Sequence, residues 1–83
     1  MGHYLNVRAL DKKGNPLKGT KVKIDIAGIF KGGTLEKCTD SNGQAEFKTA
    51  ENYESSRKLN IYVQGQSFGP YEIGGGSYTV TLK

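Results

Sequence analysis

The chain has 83 residues, a mass of 9.0 kDa and a formal net charge of +4. This length leaves room for one hydrophobic core, so residues 1–83 are treated as a single domain. A hydrophobic fraction of 35% and a charged fraction of 24% are typical of a globular chain and argue against disorder. Because no apolar run approaches the roughly 20 residues that cross a bilayer, no membrane-spanning segment is expected.

The first six residues, MGHYLN, lack the apolar stretch of a secretory signal. We therefore expect a cytoplasmic protein or, if the chain is a segment of a larger secreted protein, an extracellular or cell-surface location. The single cysteine, Cys38, excludes an internal disulfide and a multi-cysteine metal site. The stability of the fold must then come from its core.

Positive charge is concentrated in the first third of the chain. Residues 1–31 contain seven basic and two acidic side chains, whereas residues 32–83 contain five basic and six acidic ones. Such asymmetry is found on surfaces that bind nucleic acid or an acidic partner, but lysine also protects exposed strands from pairing edge to edge. We favour the second interpretation.

Apolar and polar residues alternate with period two along the chain, which predicts strands and no core helix. Seven segments are predicted as strands, in chain order residues 5–10, 20–27, 34–39, 44–49, 59–64, 67–73 and 77–83. The residues predicted to point inward are Leu5, Val7, Ala9, Val22, Ile24, Ile26, Ala45, Phe47, Thr49, Leu59, Ile61, Val63, Tyr78, Val80 and Leu82.

Turn residues separate these segments. Residues 14–16 are predicted to form a turn after the first strand. Asn42 with Gly43 predicts a tight hairpin between the third and fourth strands. Because Pro70 cannot donate a hydrogen bond to a ladder, the sixth strand is placed at a sheet edge or a bend. Residues 50–58 are polar and are predicted as a loop. The expected fold is therefore an all-β, seven-stranded antiparallel β-sandwich.

Three stretches, VRALDKKGNPLKGTKVKI, TDSNGQAEF and GGGSYTVTL, cover nearly the whole chain and resemble the transthyretin-like, or carboxypeptidase-regulatory-like, sandwich modules. Similar motifs occur in collagen-adhesin B-type repeats and bacterial Ig-like domains. The resemblance implies an accessory, adhesive, stalk or docking role beside a larger protein. The residues that carry it are Asp11, Gly14, Pro16, Leu17, Thr39, Asp40 and Gly43.

Residues with catalytic or metal-binding chemistry are few. His3 is the one histidine and lies near a terminus, so we interpret it as a solvated side chain. We interpret Cys38 as a small packing residue, since no histidine is near it in sequence. Glu36, Asp40 and Glu46 lack the spacing of a calcium loop, and Asp40 is expected to accept turn hydrogen bonds. We predict no enzymatic activity, no metal site and no cofactor.

Aromatic residues define the candidate binding surfaces. If the strands alternate in direction, the second, fourth and sixth connections meet at one end, which then carries Phe30 and Tyr53. Tyr62, on the outer side of its strand, and Phe68 and Tyr71, beside the Gly-Pro bend, are candidates for stacking on sugar rings.

The sequence thus predicts a non-catalytic accessory module with a structural or protein-docking role. The expected partner is a protein or another domain of the parent chain. The alternative is a module that binds carbohydrate or an anionic polymer. Nucleic acid is disfavoured, because no recognition motif for it is present.

Overall fold

The structure, a computed structural model, describes residues 3–26, 34–49, 54 and 56–83. Within these residues the fold is all-β, with one single-turn 3-10 helix at Ile73–Gly75. None of the described segments is a helix long and apolar enough to cross a membrane. The strands are β1 (Tyr4–Leu10), β2 (Lys21–Ile26), β3 (Thr34–Cys38), β4 (Gln44–Lys48), β5 (Lys58–Val63), β6 (Gln66–Glu72) and β7 (Ser77–Thr81).

The strands form two sheets, one of three strands in the order β4-β1-β7 and one of four in the order β3-β2-β5-β6. Every pairing is antiparallel except that of β1 with β7, which is parallel. The prediction of a wholly antiparallel sandwich is therefore wrong at this pair. In a chain whose strands alternate in direction, the first and seventh run the same way, so they must be parallel once they become neighbours.

The core lies between the two sheets and consists of the inward members of the alternating strands. Every residue predicted to point inward is buried, including Thr49. Ile73 of the 3-10 turn joins the core from outside the strands. Full burial of one aliphatic or aromatic side chain contributes about 1.5–3 kcal/mol, so these side chains supply most of the stabilisation. The prediction of an all-β fold with two packed faces is confirmed.

The connection between β3 and β4 differs from the predicted hairpin. Its turn forms as expected, because one Asp40 carboxylate oxygen accepts hydrogen bonds from the backbone N–H groups of Asn42 (2.8 Å) and Gln44 (3.0 Å). However, β3 and β4 belong to different sheets, so the turn carries the chain across the sandwich. The tight hairpin lies at Gln64 and Gly65, both with positive φ, between the paired strands β5 and β6.

Thr39 links the loop between β1 and β2 to the turn that follows β3 through hydrogen bonds. Its buried hydroxyl donates to the carbonyl of Leu17 and accepts from the backbone N–H of Thr20 (2.9 Å). Its own N–H donates to the carbonyl of Thr20 (2.8 Å). The two connections therefore form one ordered end of the sandwich.

β6 is an edge strand and contains Pro70, as predicted from the missing backbone N–H. The Gly69–Pro70 peptide bond is cis. The pairing of β5 with β6 shifts its register between Leu59 and Ile61, so the ladder is irregular opposite the proline.

Candidate binding site

The three aromatic residues that the sequence suggests for stacking on sugar rings lie on two different faces. Tyr62 is half-buried on the outer face of the four-stranded sheet, where it pairs with Lys23 and Ser67. Phe68 and Tyr71 lie on the inner side of β6 and pack against the core. These three rings therefore do not form a common surface.

The other two aromatic candidates, Phe30 and Tyr53, lie outside the described residues.

Strand directions within both sheets agree with a strictly alternating chain. We call the end of the sandwich that carries Gly74–Gly76 the glycine end. There the backbone N–H of Ile73 donates to the carbonyl of Arg57, and that of Asn6 donates to the carbonyl of Gly76, both at 2.8 Å. The predicted meeting of the fourth and sixth connections is thus observed where their residues are described.

A wide, shallow groove lies at the glycine end. Its volume is about 520 Å³, and it is lined by Ser56, Tyr71, Glu72, Gly74, Gly75 and Tyr78. The rings of Tyr71 and Tyr78 pack with centroids 5.2 Å apart and planes inclined by 40°. The Tyr78 hydroxyl donates to the carbonyl of Glu72 and accepts from the N–H of Gly76 (3.3 Å), so its hydrogen bonds are used within the fold. Burial raises the pKa of Tyr78.

A smaller pocket of about 200 Å³ opens beside the glycine end, at the β1–β4 pair. We call it the Tyr4 pocket; it is lined by Tyr4, Leu5, Asn6, Glu46, Phe47 and Gly76. Asn6 pairs with Glu46, and Tyr4 pairs with Lys48, so these side chains share the outer face of the three-stranded sheet. Sequence reasoning missed this pocket, because it did not pair residues 4–6 with residues 46–48.

Two features distinguish the Tyr4 pocket from ordinary sheet surface. The Tyr4 side chain is 71% exposed, and the ammonium group of Lys48 lies 5.4 Å from its ring centroid. The amide oxygen of Asn6 is buried and has no hydrogen-bond partner among the described residues. Buried acceptors are nearly always paired, so this unpaired oxygen is unusual, and a ligand donor reaches it only once the Asn6 side chain turns toward the pocket.

The opposite end of the sandwich carries half of the basic residues of the chain. We call it the lysine end; it comprises residues 11–21, 37–43, 64–66 and 82–83. Six exposed lysines and two aspartates lie there, so the side chains of this end carry a net charge of +4. The formal net charge of the whole chain is also +4. The lysines are Lys12, Lys13, Lys18, Lys21, Lys37 and Lys83.

Asp11 organises the longest loop of the lysine end. One of its carboxylate oxygens accepts hydrogen bonds from the backbone N–H groups of Asn15 (2.9 Å) and Lys13 (2.8 Å). Backbone donation from Asn15 is the largest of the effects that lower the pKa of Asp11. The carboxylate thus stabilises the turn in its charged form.

The residues with nucleophilic or metal-binding chemistry are dispersed. His3 lies at the glycine end, where its backbone N–H donates to the hydroxyl of Thr49 (2.7 Å). Cys38 is exposed at the last position of β3, at the lysine end, so its interpretation as a packing residue is wrong. It shares the outer face with Glu36, two residues away. In the described ranges, no three His, Cys, Asp or Glu side chains are grouped so that they could hold a metal ion.

A scan against models of known protein families finds no match to this chain, and a search of curated proteins finds no similar sequence.

Proposed function

We propose that this chain is a non-catalytic β-sandwich module with a structural or protein-docking role within or beside a larger protein. The observation that carries the proposal is the parallel pairing of β1 with β7, which runs from Asn6 beside Ser77 to Leu10 beside Thr81. Since both strands run from the glycine end to the lysine end, domains attached to residues 3 and 83 would be held at opposite ends of a body 34 Å long.

The same pairing gives the module a way to bear load. A pull on both ends of the chain acts along β1 and β7, so the hydrogen bonds of their ladder resist it together. Backbone hydrogen bonds extend this connection at both ends, from Asn6 to Gly76 and from Leu82 to Leu10, each 2.8 Å long. A spacer or docking module that keeps two partners apart needs this property.

The dispersion of reactive groups supports the non-catalytic part of the proposal. A nucleophile and its base must lie within hydrogen-bond reach of each other. The one histidine and the one cysteine of the chain lie at opposite ends of the sandwich. A His-activated thiol would therefore require a different fold.

The test is single-molecule pulling on the Cys38→Ser variant with two sets of attachment points. Handles at the two chain termini load the β1–β7 ladder along the strands. Handles at Lys12→Cys and Lys83→Cys, both at the lysine end, separate the same two strands one hydrogen bond at a time. We expect a clearly higher unfolding force through the termini at equal loading rate. Equal or lower force through the termini would contradict the load-bearing role.

The lysine end favours a second candidate function, binding of an anionic polymer. Its six exposed lysines all lie at one end of the sandwich. Clustered ammonium groups displace the counterions of a polyanion, and affinity then falls steeply with salt concentration. This arrangement supports a polymer laid across one end of the sandwich, at a distance from the Tyr4 pocket.

The test measures binding of heparin, as a probe polyanion, at increasing salt concentration. The triple variant Lys12→Gln, Lys13→Gln, Lys18→Gln should lower both the affinity and its dependence on salt. The matched control, Lys23→Gln, Lys48→Gln, Lys58→Gln, removes the same charge from the sheet faces and should have a much smaller effect. Salt-insensitive affinity, or equal losses in the two triple variants, would reject this function.

A further inference from the structure

We infer that the Tyr4 pocket binds one pyranose ring of an uncharged glycan. This inference does not depend on the proposed structural role, and it places carbohydrate binding on residues other than Tyr62, Phe68 and Tyr71.

The hydrogen-bonding groups of the pocket require a ligand that donates. The Asn6 amide oxygen is buried without a partner among the described residues, and the Glu46 carboxylate beside it is exposed and accepts hydrogen bonds only. The two lie at directly paired positions of β1 and β4, so a ligand bound at Glu46 is next to the Asn6 amide and meets its oxygen once that side chain turns outward. Adjacent hydroxyl groups of a sugar supply such donors.

The Tyr4 ring supplies the apolar contact. With 71% of its surface exposed, Tyr4 is the one large hydrophobic residue in the described part of the chain that remains mostly in solvent. The Lys48 ammonium group lies over the ring and helps to fix its position. A pyranose ring has a C–H face that packs on an aromatic ring while its hydroxyl rim faces polar groups, which matches an amphipathic tyrosine beside two acceptors.

The charges of the pocket give an ionic ligand no net attraction. The ammonium group of Lys48 and the carboxylate of Glu46 lie two residues apart on one strand, so what attracts an ion of either sign is offset by a neighbour that repels it. Donors and acceptors are both present at paired positions of the same sheet face, and a neutral polyhydroxyl compound can satisfy both. The chemistry of the site therefore favours an uncharged sugar over a phosphate, a sulfate or an ammonium group.

The volume limits the size of the bound group. Sites for whole small molecules usually enclose roughly 300–1,000 Å³, and the Tyr4 pocket encloses about 200 Å³. One sugar ring fits such a space, while the rest of a glycan would lie across the sheet surface. With few atoms in contact, a single ring is expected to bind with a Kd in about the millimolar range.

The test is an NMR titration of the whole 83-residue chain with methyl glycosides of glucose, galactose, mannose and N-acetylglucosamine, and with their disaccharides. We expect saturable shifts of backbone amides grouped around Tyr4, Asn6, Glu46 and Gly76 for at least one of these sugars. No saturable shift with any of them at tens of millimolar, or shifts grouped around Tyr71 and Tyr78 instead, would overturn the inference.

Variants separate the pocket from general effects on the fold. Tyr4→Ala should weaken binding about tenfold, in line with the loss of one aromatic contact, while Tyr4→Phe should keep it within about twofold. Tyr62→Ala, on the outer face of the other sheet, is the matched control and should bind as the parent chain does. Circular dichroism confirms that each variant is folded. Unchanged binding by Tyr4→Ala would refute the assignment.

Discussion

At the scale of single residues, Tyr78 connects the core to the glycine end. Its side chain is 7% exposed, and its ring packs against that of Tyr71. Its hydroxyl group uses backbone partners alone, as donor to Glu72 and acceptor from Gly76. A buried tyrosine with a paired hydroxyl adds apolar burial without leaving a polar group unsatisfied.

Because Tyr78 is buried, we expect the folded protein to lose stability at alkaline pH. Because burial raises its pKa in the folded state above the ordinary value of 10.0, the unfolded chain ionises first. The stability that Tyr78 contributes is thus fully present below pH 10.0 and is lost as the pH rises through the raised folded pKa. We expect the unfolding free energy to fall more steeply for the parent chain than for Tyr78→Phe.

Urea unfolding of both proteins between about pH 8 and pH 11 checks this expectation. The other four tyrosines are common to both proteins, so the difference between the two curves isolates Tyr78. Parallel curves over this range would show that the expectation is wrong.

At the scale of elements, the turn between β3 and β4 carries the chain from one sheet to the other. Gly43 makes this passage possible, since its φ of +76° is unfavourable for other residues. A Cβ atom there would lie 2.8 Å from the carbonyl oxygen of Ala9 and 2.9 Å from Cβ of Pro16. The turn is therefore packed directly on β1 and the loop that follows it.

Gly43→Ala is expected to destabilise the fold by more than Gly14→Ala. Both positions have positive φ, at a cost of about 1–3 kcal/mol for a residue other than glycine. At Gly14 a Cβ atom would meet nothing within 4 Å, whereas at Gly43 it would overlap backbone and proline atoms. The difference between the two variants thus measures the effect of the close contact of Gly43 with Ala9 and Pro16. Urea unfolding measures both changes, and equal losses would contradict the role given to Gly43.

The alternation of residues such as Val22, Ile24 and Ile26 was sufficient to predict the strands and their buried faces. Local turn chemistry was also readable, because Asp40 and Gly43 act within a few residues of each other. Strand partners were not readable, since pairing joins residues far apart in the chain. The Tyr4 pocket depends on a pairing between β1 and β4 across some 40 residues, and so it became visible in the structure alone.

At the scale of the whole molecule, a single layer of side chains between two sheets stabilises the fold without a disulfide. At roughly 0.05–0.15 kcal/mol per residue, a chain of this length has a total stability of about 4–12 kcal/mol. The loss of one well-packed side chain is therefore a large fraction of the total.

Ile24→Ala is expected to cost about 2–5 kcal/mol and to lower the midpoint of thermal unfolding markedly. Ile24 is fully buried in the central part of its sheet and pairs with Leu35 and Ile61. Lys23→Ala, in the same strand on the exposed face, is the control and should change the stability by about 0.5 kcal/mol. Thermal unfolding followed by circular dichroism compares the two. Similar midpoints would argue against the role given to Ile24 in the core.

The proline of β6 has a consequence for self-association. A strand from another copy that docked along β6 would meet Pro70, which has no N–H to offer, and an irregular stretch of ladder beside it. The other border of the four-stranded sheet, β3, has no proline. Growth of this sheet from copy to copy is thus disfavoured on one side, so association through β3 favours a pair of copies over a fibre.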